Sequence, residues 1–290
     1  MAARPHPTAR RIGLGHELRQ LRREAGLTLA QAVDGLGFDE MTLHRVETGW
    51  KSFRQAGHLR QLLERYGLVD DDQADRLVNL QREASSREWG ADGSTHMVSG
   101  LPRLLAVEAM ACQIRTFHPQ LVPGLLQSVE YSRAVHEMHR PIDGVTTEFV
   151  RQSMERRAHR KTALTRETDP VKFWAVLSET ALRYPVGGAD IMRGQYEELL
   201  TLGEAENITL QVLPQGERAY VPLHEVIIMF LVDGLPTTVG CDTPMSTVVV
   251  SDEPREVSRF SRMFDSVVSN ALPPRDTSKF LHRLMRESTE

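Results

Sequence analysis

Between residues 14 and 66 apolar side chains recur at helical spacing and glycines interrupt them. Leu14, Leu18 and Leu21 share one face of a first amphipathic helix, which Gly26 ends. Thr28 and Gln31 then form a capping-box pair, hydroxyl and amide each satisfying a backbone N–H that a first helical turn leaves open, so a short second helix is predicted over 29–36. Gly37 supplies permissive backbone for a turn. Asp39 caps a third helix that carries Met41, Leu43 and Val46 to about Thr48, where Gly49 closes it. A fourth helix over 55–66 buries Leu59, Leu62, Leu63 and Tyr66. Short helices with a glycine turn between the second and third have the spacing of a helix-turn-helix unit.

The pattern then changes twice. From Asp70 a polar helical stretch with Leu77, Val78 and Leu80 as its apolar positions runs towards Trp89 and reads as a connecting helix. Residues 90–100 are rich in Gly, Ser, Asp and Thr, the composition of a flexible loop, which places a domain boundary nearby. Beyond it, helical patterns at 103–114, 128–136, 147–164, 191–202 and 255–268 alternate with strand-like runs at 171–177, 208–213, 226–232 and 247–250. The expected fold class is α+β: an all-α first domain over 1–69, a connector over 70–100, and a mixed α/β domain over 101–290 with a helix-flanked sheet.

Composition adds to this picture in three places. With 40% hydrophobic and 26% charged residues, the chain is ordinary for a packed globular protein. The net charge of −4 conceals an asymmetry, because residues 1–69 carry eleven Lys/Arg against seven Asp/Glu, and phosphate neutralisation makes that segment the better candidate for nucleic acid. Cys112 and Cys241 lie far apart and read as buried thiols of a reducing compartment. The longest apolar run is far too short for a bilayer, and residues 1–11 lack the apolar core of a secretory signal. A cytoplasmic, nucleoid-associated protein without membrane contact is expected.

The stretch LRQLRREAGLTLAQAVDGLGFDEMTLHRVETG resembles the XRE-type repressor domain along its whole length, in Gly26, Thr28, Gly37, Glu47 and Gly49 and in the pair Arg22 and Glu47. In such domains that pair links the first helix to the end of the third. Ala32 and Val33 are shifted from the usual alanine-bearing second helix. Glu40 stands where neutral or basic side chains are commoner.

The resemblance puts Glu40, Met41, Thr42, His44 and Arg45 at the edge of the major groove of double-stranded DNA. Arg45 has a fork that donates twice to guanine O6 and N7; a phosphate clamp is its alternative. Glu40 accepts from cytosine N4 or, equally, stabilises the helix N-terminus. Met41 and His44 have the plainer reading of surface or packing. Thr28, Lys51 and Arg54 are candidates for phosphate contacts, Thr28 through its helix N-terminus and the two cations through charge. Arg10 and Arg11 read as a basic arm or an ordinary solvated tail.

Most of residues 100–287 resembles the carboxy-terminal domain of actinobacterial regulators related to the sporulation regulator WhiJ, described as antitoxin-like. The phrases are LLAVEAMACQIRTFHPQLVPGLLQSVEYSRAV, RQSMERRAHR, LSETALRYPVGG, QYEELLTLGEAENITLQVLP and LPPRDTSKFLHRLM. The likeness implies a second domain that receives a signal, such as an unknown small-molecule effector, or a small BldB-like protein partner; binding to a two-fold operator would make the regulator a homodimer. The chain departs from the pattern at VPLHEVIIMFLVDGLPTTVGCD.

Within PGLLQ, Pro123 and Gly124 set a turn before an apolar pair, either a packed corner or the lip of a pocket. Arg151, Arg156, Arg157, Arg160 and Lys161 make a basic helix face, a surface for an acidic partner or a solvated one. For catalysis the local candidate is His224 with Glu225, a decayed phosphodiesterase signature whose phosphate-holding lysine is replaced by Val226. The histidines and cysteines show no zinc spacing and no phosphate-cradling glycine loop appears, so neither a metal nor a cofactor is expected. Three readings follow: a transcription factor that dimerises or senses, an antitoxin-like partner-binding protein that regulates its own operon, and a degenerate hydrolase. A non-enzymatic regulator is the first of them.

Overall fold

The computed structural model describes residues 9–53, 55–68, 74–79, 81, 100–216, 225–231, 235–243 and 247–287. They fall into two compact units: Leu101–Met110 belongs with the amino-terminal unit, and the second runs from Ala111 together with Gly100.

In the first unit lie α1 (Ala9–Glu24), α2 (Leu29–Val33), α3 (Glu40–Glu47), α4 (Ala56–Arg65) and α5 (Leu101–Glu108). Leu14, Leu18, Leu43, Val46, Leu59 and Leu62 form a core in which each is at most 2% exposed. The Thr28–Gln31 box is reciprocal: Gln31 N–H donates to Thr28 Oγ1 at 3.2 Å, and Thr28 N–H to Gln31 Oε1 at 2.9 Å. Helix α2 stops at Val33, short of the expected Leu36, because Leu36 N–H turns back to the Val33 carbonyl and Gly35 and Gly37 take positive φ. Helix α1 already runs through residues 10 and 11, so the basic arm expected there is helix. Residues 74–79 are helical, and Leu77 and Val78, expected in a free connector, join the core of this unit. The remainder of the expected connector and loop lies outside the described residues.

Helices α1 and α3 cross closely. A Cβ on Gly15 would sit 2.4 Å from the Val46 carbonyl oxygen, so only glycine permits the approach.

The second unit is built on a six-stranded sheet, order β3-β2-β1-β4-β5-β6, from β1 (Ala111–His118), β2 (Lys172–Ser178), β3 (Ile208–Leu213), β4 (Val226–Leu231), β5 (Thr238–Thr243) and β6 (Thr247–Ser251). Strands β1, β2 and β3 are mutually parallel, while β4, β5 and β6 continue antiparallel from the other side of β1. Between β1 and β2 run α6 (Val129–Asp143) and α7 (Thr147–Thr165); between β2 and β3 run α8 (Glu179–Arg183) and α9 (Ala189–Leu202). After β6 come α10 (Pro254–Asn270) and α11 (Pro274–Glu287). Phe264 and Val267 of α10 cover Phe117, Val176, Leu213, Val226 and Ile228 on one sheet face. The edge of β3 is sealed by the approach to α11, where Leu272 N–H donates to the Val212 carbonyl at 2.8 Å and the Thr277 hydroxyl to Leu210 at 2.8 Å.

Several expectations need correcting. The stretch 103–114, read as one helix, is α5 followed by β1: Ile114 is 2% exposed within a strand whose register shifts between Ala111 and Gln113, which interrupts the two-residue period there. Helix α6 continues beyond His136 to Asp143, ending where Gly144 takes φ 61°. Strand β5 and helix α11 were not anticipated; TVGCDT lacks an apolar run. Cys112 is exposed and Cys241 half-buried, so neither is the buried thiol expected.

Candidate nucleic-acid interface

Helix α3 has two faces. Leu43, Val46 and Glu47 point inward at 0%, 1% and 4% exposure, a spacing of three and four residues that fixes the opposite face outward. On that outer face Glu40, His44 and Arg45 are exposed and Met41 is 60% exposed. Thr42 is half-buried beside them. The chain after the helix folds back: the Arg45 carbonyl accepts from Trp50 N–H at 2.8 Å and Lys51 N–H at 3.1 Å, while the Arg45 side chain stays exposed.

The base of α3 is tied to α1. Arg22 donates from Nε and Nη2 to the two carboxylate oxygens of Glu47 at 2.7 and 2.9 Å, and from Nη1 to the Leu27 carbonyl at 2.8 Å. Arg19 approaches the same carboxylate at 3.9 Å. The Glu47 bond raises the Arg22 pKa above its ordinary value against the opposing effect of burial. Glu47, near-fully buried as a charge, is thereby paired and hydrogen-bonded, the condition under which a buried carboxylate is tolerated.

The amino-terminal end of α3 has its own network. The Asp39 carboxylate accepts from Thr42 N–H at 2.7 Å, and Lys51 Nζ donates to Thr42 Oγ1 at 3.3 Å. Asp39 is held below the usual carboxylate range, first by the Thr42 hydroxyl, then by its amide, with a contribution from the Lys51 charge. These three residues rim an open recess of about 560 Å³ with the rings of Phe38, Phe53 and His58 on its walls. Phe38 and Phe53 meet at 4.9 Å between centroids. Thr28 is exposed at the head of α2 with its hydroxyl engaged in the cap. Arg54 lies outside the described residues.

In the second unit the run 151–161 is a paired surface in large part. Arg151 meets Glu148 and Glu155, Arg157 donates to the Gly124 carbonyl at 2.9 Å, and Lys161 meets Glu198 and the Gln127 carbonyl. The PGLLQ turn is a packed corner, with Leu125 at 5% and Leu126 at 0% exposure and Gln195, fully buried, bridging Ser128 N–H and the Leu126 carbonyl.

The sheet also brings together His118, Glu225 and Asp242, whose polar atoms lie within 4.8 Å of one another at the ends of β1, β4 and β5. Sequence spacing gave no sign of this trio. His118 Nδ1 accepts from Gln120 N–H at 3.1 Å and Leu121 N–H at 2.9 Å, which leaves the ring proton on Nε2. With the Nδ1 lone pair engaged and Nε2 protonated, the ring has no free lone pair, opposite to the state a metal-ligating histidine adopts. Burial lowers the His118 pKa, in keeping with a neutral ring. His224, the other half of the candidate catalytic pair, lies outside the described residues.

Residues 13–77 match the family described as a helix-turn-helix domain, and residues 101–283 match a domain of unknown function, DUF5753. The chain belongs to the DUF5753 family and carries a helix-turn-helix domain ahead of it. No curated protein and no solved structure matches the chain. The architecture is that of a helix-turn-helix regulator, and no helix among the described residues is long and apolar enough to cross a membrane.

Two residues at this surface escaped the sequence reading. Trp50, 37% exposed beside the carboxy-terminal end of α3, carries no periodic signal because it sits in a turn. Arg19 reaches Glu47 from one turn before Arg22, and its i, i+3 spacing from Arg22 was the available clue.

Proposed function

We propose that this protein is a sequence-specific, DNA-binding transcriptional regulator without catalytic activity, acting in the cytoplasm as a homodimer whose second domain receives a small-molecule effector or a small protein partner. One observation carries the reading: α3 is capped at Asp39, anchored inward through Leu43, Val46 and Glu47, and turns Glu40, Met41, His44 and Arg45 outward together. A helix held in that way presents side chains to a major groove at fixed positions. The lysine and arginine excess of residues 1–69 supports the same reading, since it supplies the sequence-independent part of DNA affinity. A dimer places two such helices on half-sites about 34 Å apart.

The test is selection of duplexes by the intact chain from a random pool, followed by mapping of its sites on genomic DNA. An enriched sequence with two-fold symmetry is expected. Failure to hold any duplex even at low ionic strength overturns the proposal.

A further inference from the structure

Lys51 lies outside the recognition helix, yet its ammonium is directed at that helix. The backbone fixes this: Trp50 and Lys51 both donate to the Arg45 carbonyl, so the segment after α3 folds back under its last turn. From there the Lys51 side chain runs along the recess towards the first turn and donates to Thr42 Oγ1 at 3.3 Å. Thr42 is the third residue of α3, and its amide is the one that the Asp39 cap accepts.

The chemistry of the three groups sets the direction of each hydrogen bond. An ammonium has donors and no lone pair, so Lys51 occupies a lone pair of the Thr42 oxygen and the hydroxyl hydrogen must point elsewhere. Asp39, whose carboxylate already accepts from the Thr42 amide at 2.7 Å, is the adjacent acceptor. The Lys51 charge also offsets Asp39 at the end of α3 where DNA phosphates approach, which removes part of the penalty of acidic residues there.

We propose that Lys51 is a positioning residue for base readout: by donating to Thr42 it turns the hydroxyl hydrogen to Asp39 and leaves the Thr42 methyl group and remaining lone pair as the surface offered to DNA. An A·T pair suits that surface, because its major-groove edge carries a thymine methyl group and an adenine amino donor, whereas guanine presents acceptors that Thr42 no longer has a hydrogen to meet. This assignment rests on the DNA-binding reading and replaces the phosphate contact expected of Lys51 from its charge.

The experiment compares the intact wild-type chain with Lys51→Met, Lys51→Arg and Thr42→Val by duplex selection and by competition binding at several salt concentrations. The base pair concerned is the one at which Thr42→Val changes preference. There, Lys51→Met lowers the preference for A·T over G·C by about tenfold, leaves the other positions unchanged and leaves the salt slope as it was. Lys51→Arg, which keeps charge and donors, restores most of the preference, and Thr42→Val adds no further loss on top of Lys51→Met. If Lys51→Met instead weakens all sequences alike and reduces the salt slope by about one, Lys51 is a phosphate contact and the inference falls while DNA binding stands. Thr42→Val with an unchanged preference at every position also overturns it, without recourse to a Lys51 variant. A wild-type chain that binds no duplex removes the DNA-binding reading itself, a result distinct from either.

Discussion

Arg22 grips Glu47 with two parallel hydrogen bonds of 2.7 and 2.9 Å, joining the last turn of α1 to the last residue of α3, and the Glu47 side chain is only 1% exposed. Removing the cation leaves a buried carboxylate with the more distant Arg19 as its nearest charge. Arg22→Ala is expected to destabilise the amino-terminal unit by about 3 kcal/mol, read from urea unfolding of the intact chain. Arg22→Lys keeps the charge but loses the fork and is expected to cost about 1–2 kcal/mol. A loss of under about 0.5 kcal/mol for the alanine variant contradicts this role.

The approach of α1 to α3 gives a second expectation. Gly15→Ala drives a methyl group to 2.4 Å from the Val46 carbonyl oxygen and 2.6 Å from that of Glu47. Because both are backbone atoms they cannot swing aside, and a destabilisation of about 1–3 kcal/mol follows. Gly13 is the internal control: nothing lies within 4 Å of its added Cβ, so Gly13→Ala stabilises the helix by about 0.5–1 kcal/mol. Thermal melts of the pair should move in opposite directions.

Arg45 is exposed on the outer face of α3 and its backbone carbonyl alone is engaged by the turn after the helix. Arg45→Ala is therefore expected to change stability by less than about 0.5 kcal/mol. Its effect belongs to recognition: discrimination at a guanine of the selected site drops by about 1–3 kcal/mol in competition binding. Uniform weakening across all sequences, with a shallower salt dependence, assigns Arg45 to a phosphate instead.

His136 in α6 couples the second unit to pH. Burial, and then the charge of Arg157, lower its pKa from 6.5 to about 4, and its Nε2 has no hydrogen-bond partner among the described residues. Between those values the unfolded chain holds a proton that the native ring does not. Stability contributed by the neutral ring is thus complete above about pH 6.5 and is lost as pH falls towards 4. Allowing for partial exposure, the loss is about 1–2 kcal/mol. His136→Phe should flatten this part of the stability profile; an unaltered acid slope in that variant means another group is responsible.

What could be read from the chain alone was what the backbone decides over a few residues. The caps at Thr28 and Asp39 and the inward face at Leu43 and Val46 depend on groups three or four positions apart. Strands β2, β3 and β4 were legible because they are buried enough to be nearly continuous apolar runs. Strand β1 was not, since its register shifts between Ala111 and Gln113 and its alternation is short, and Arg115 lies at 5.5 and 4.9 Å from the rings of Trp174 and Phe230, residues supplied by other strands.

The tertiary structure alone decided which distant groups meet. Lys51 reaches Thr42 only because a turn folds under the third helix, and His118, Glu225 and Asp242 converge only because the end of β1, the start of β4 and the end of β5 lie side by side in the sheet. Periodicity and capping reflect hydrogen bonds closed within a single turn of chain. Pairings such as these depend on how whole elements pack, and hydrophobic burial, which drives that packing, is non-directional and leaves no local mark on the residues it brings together.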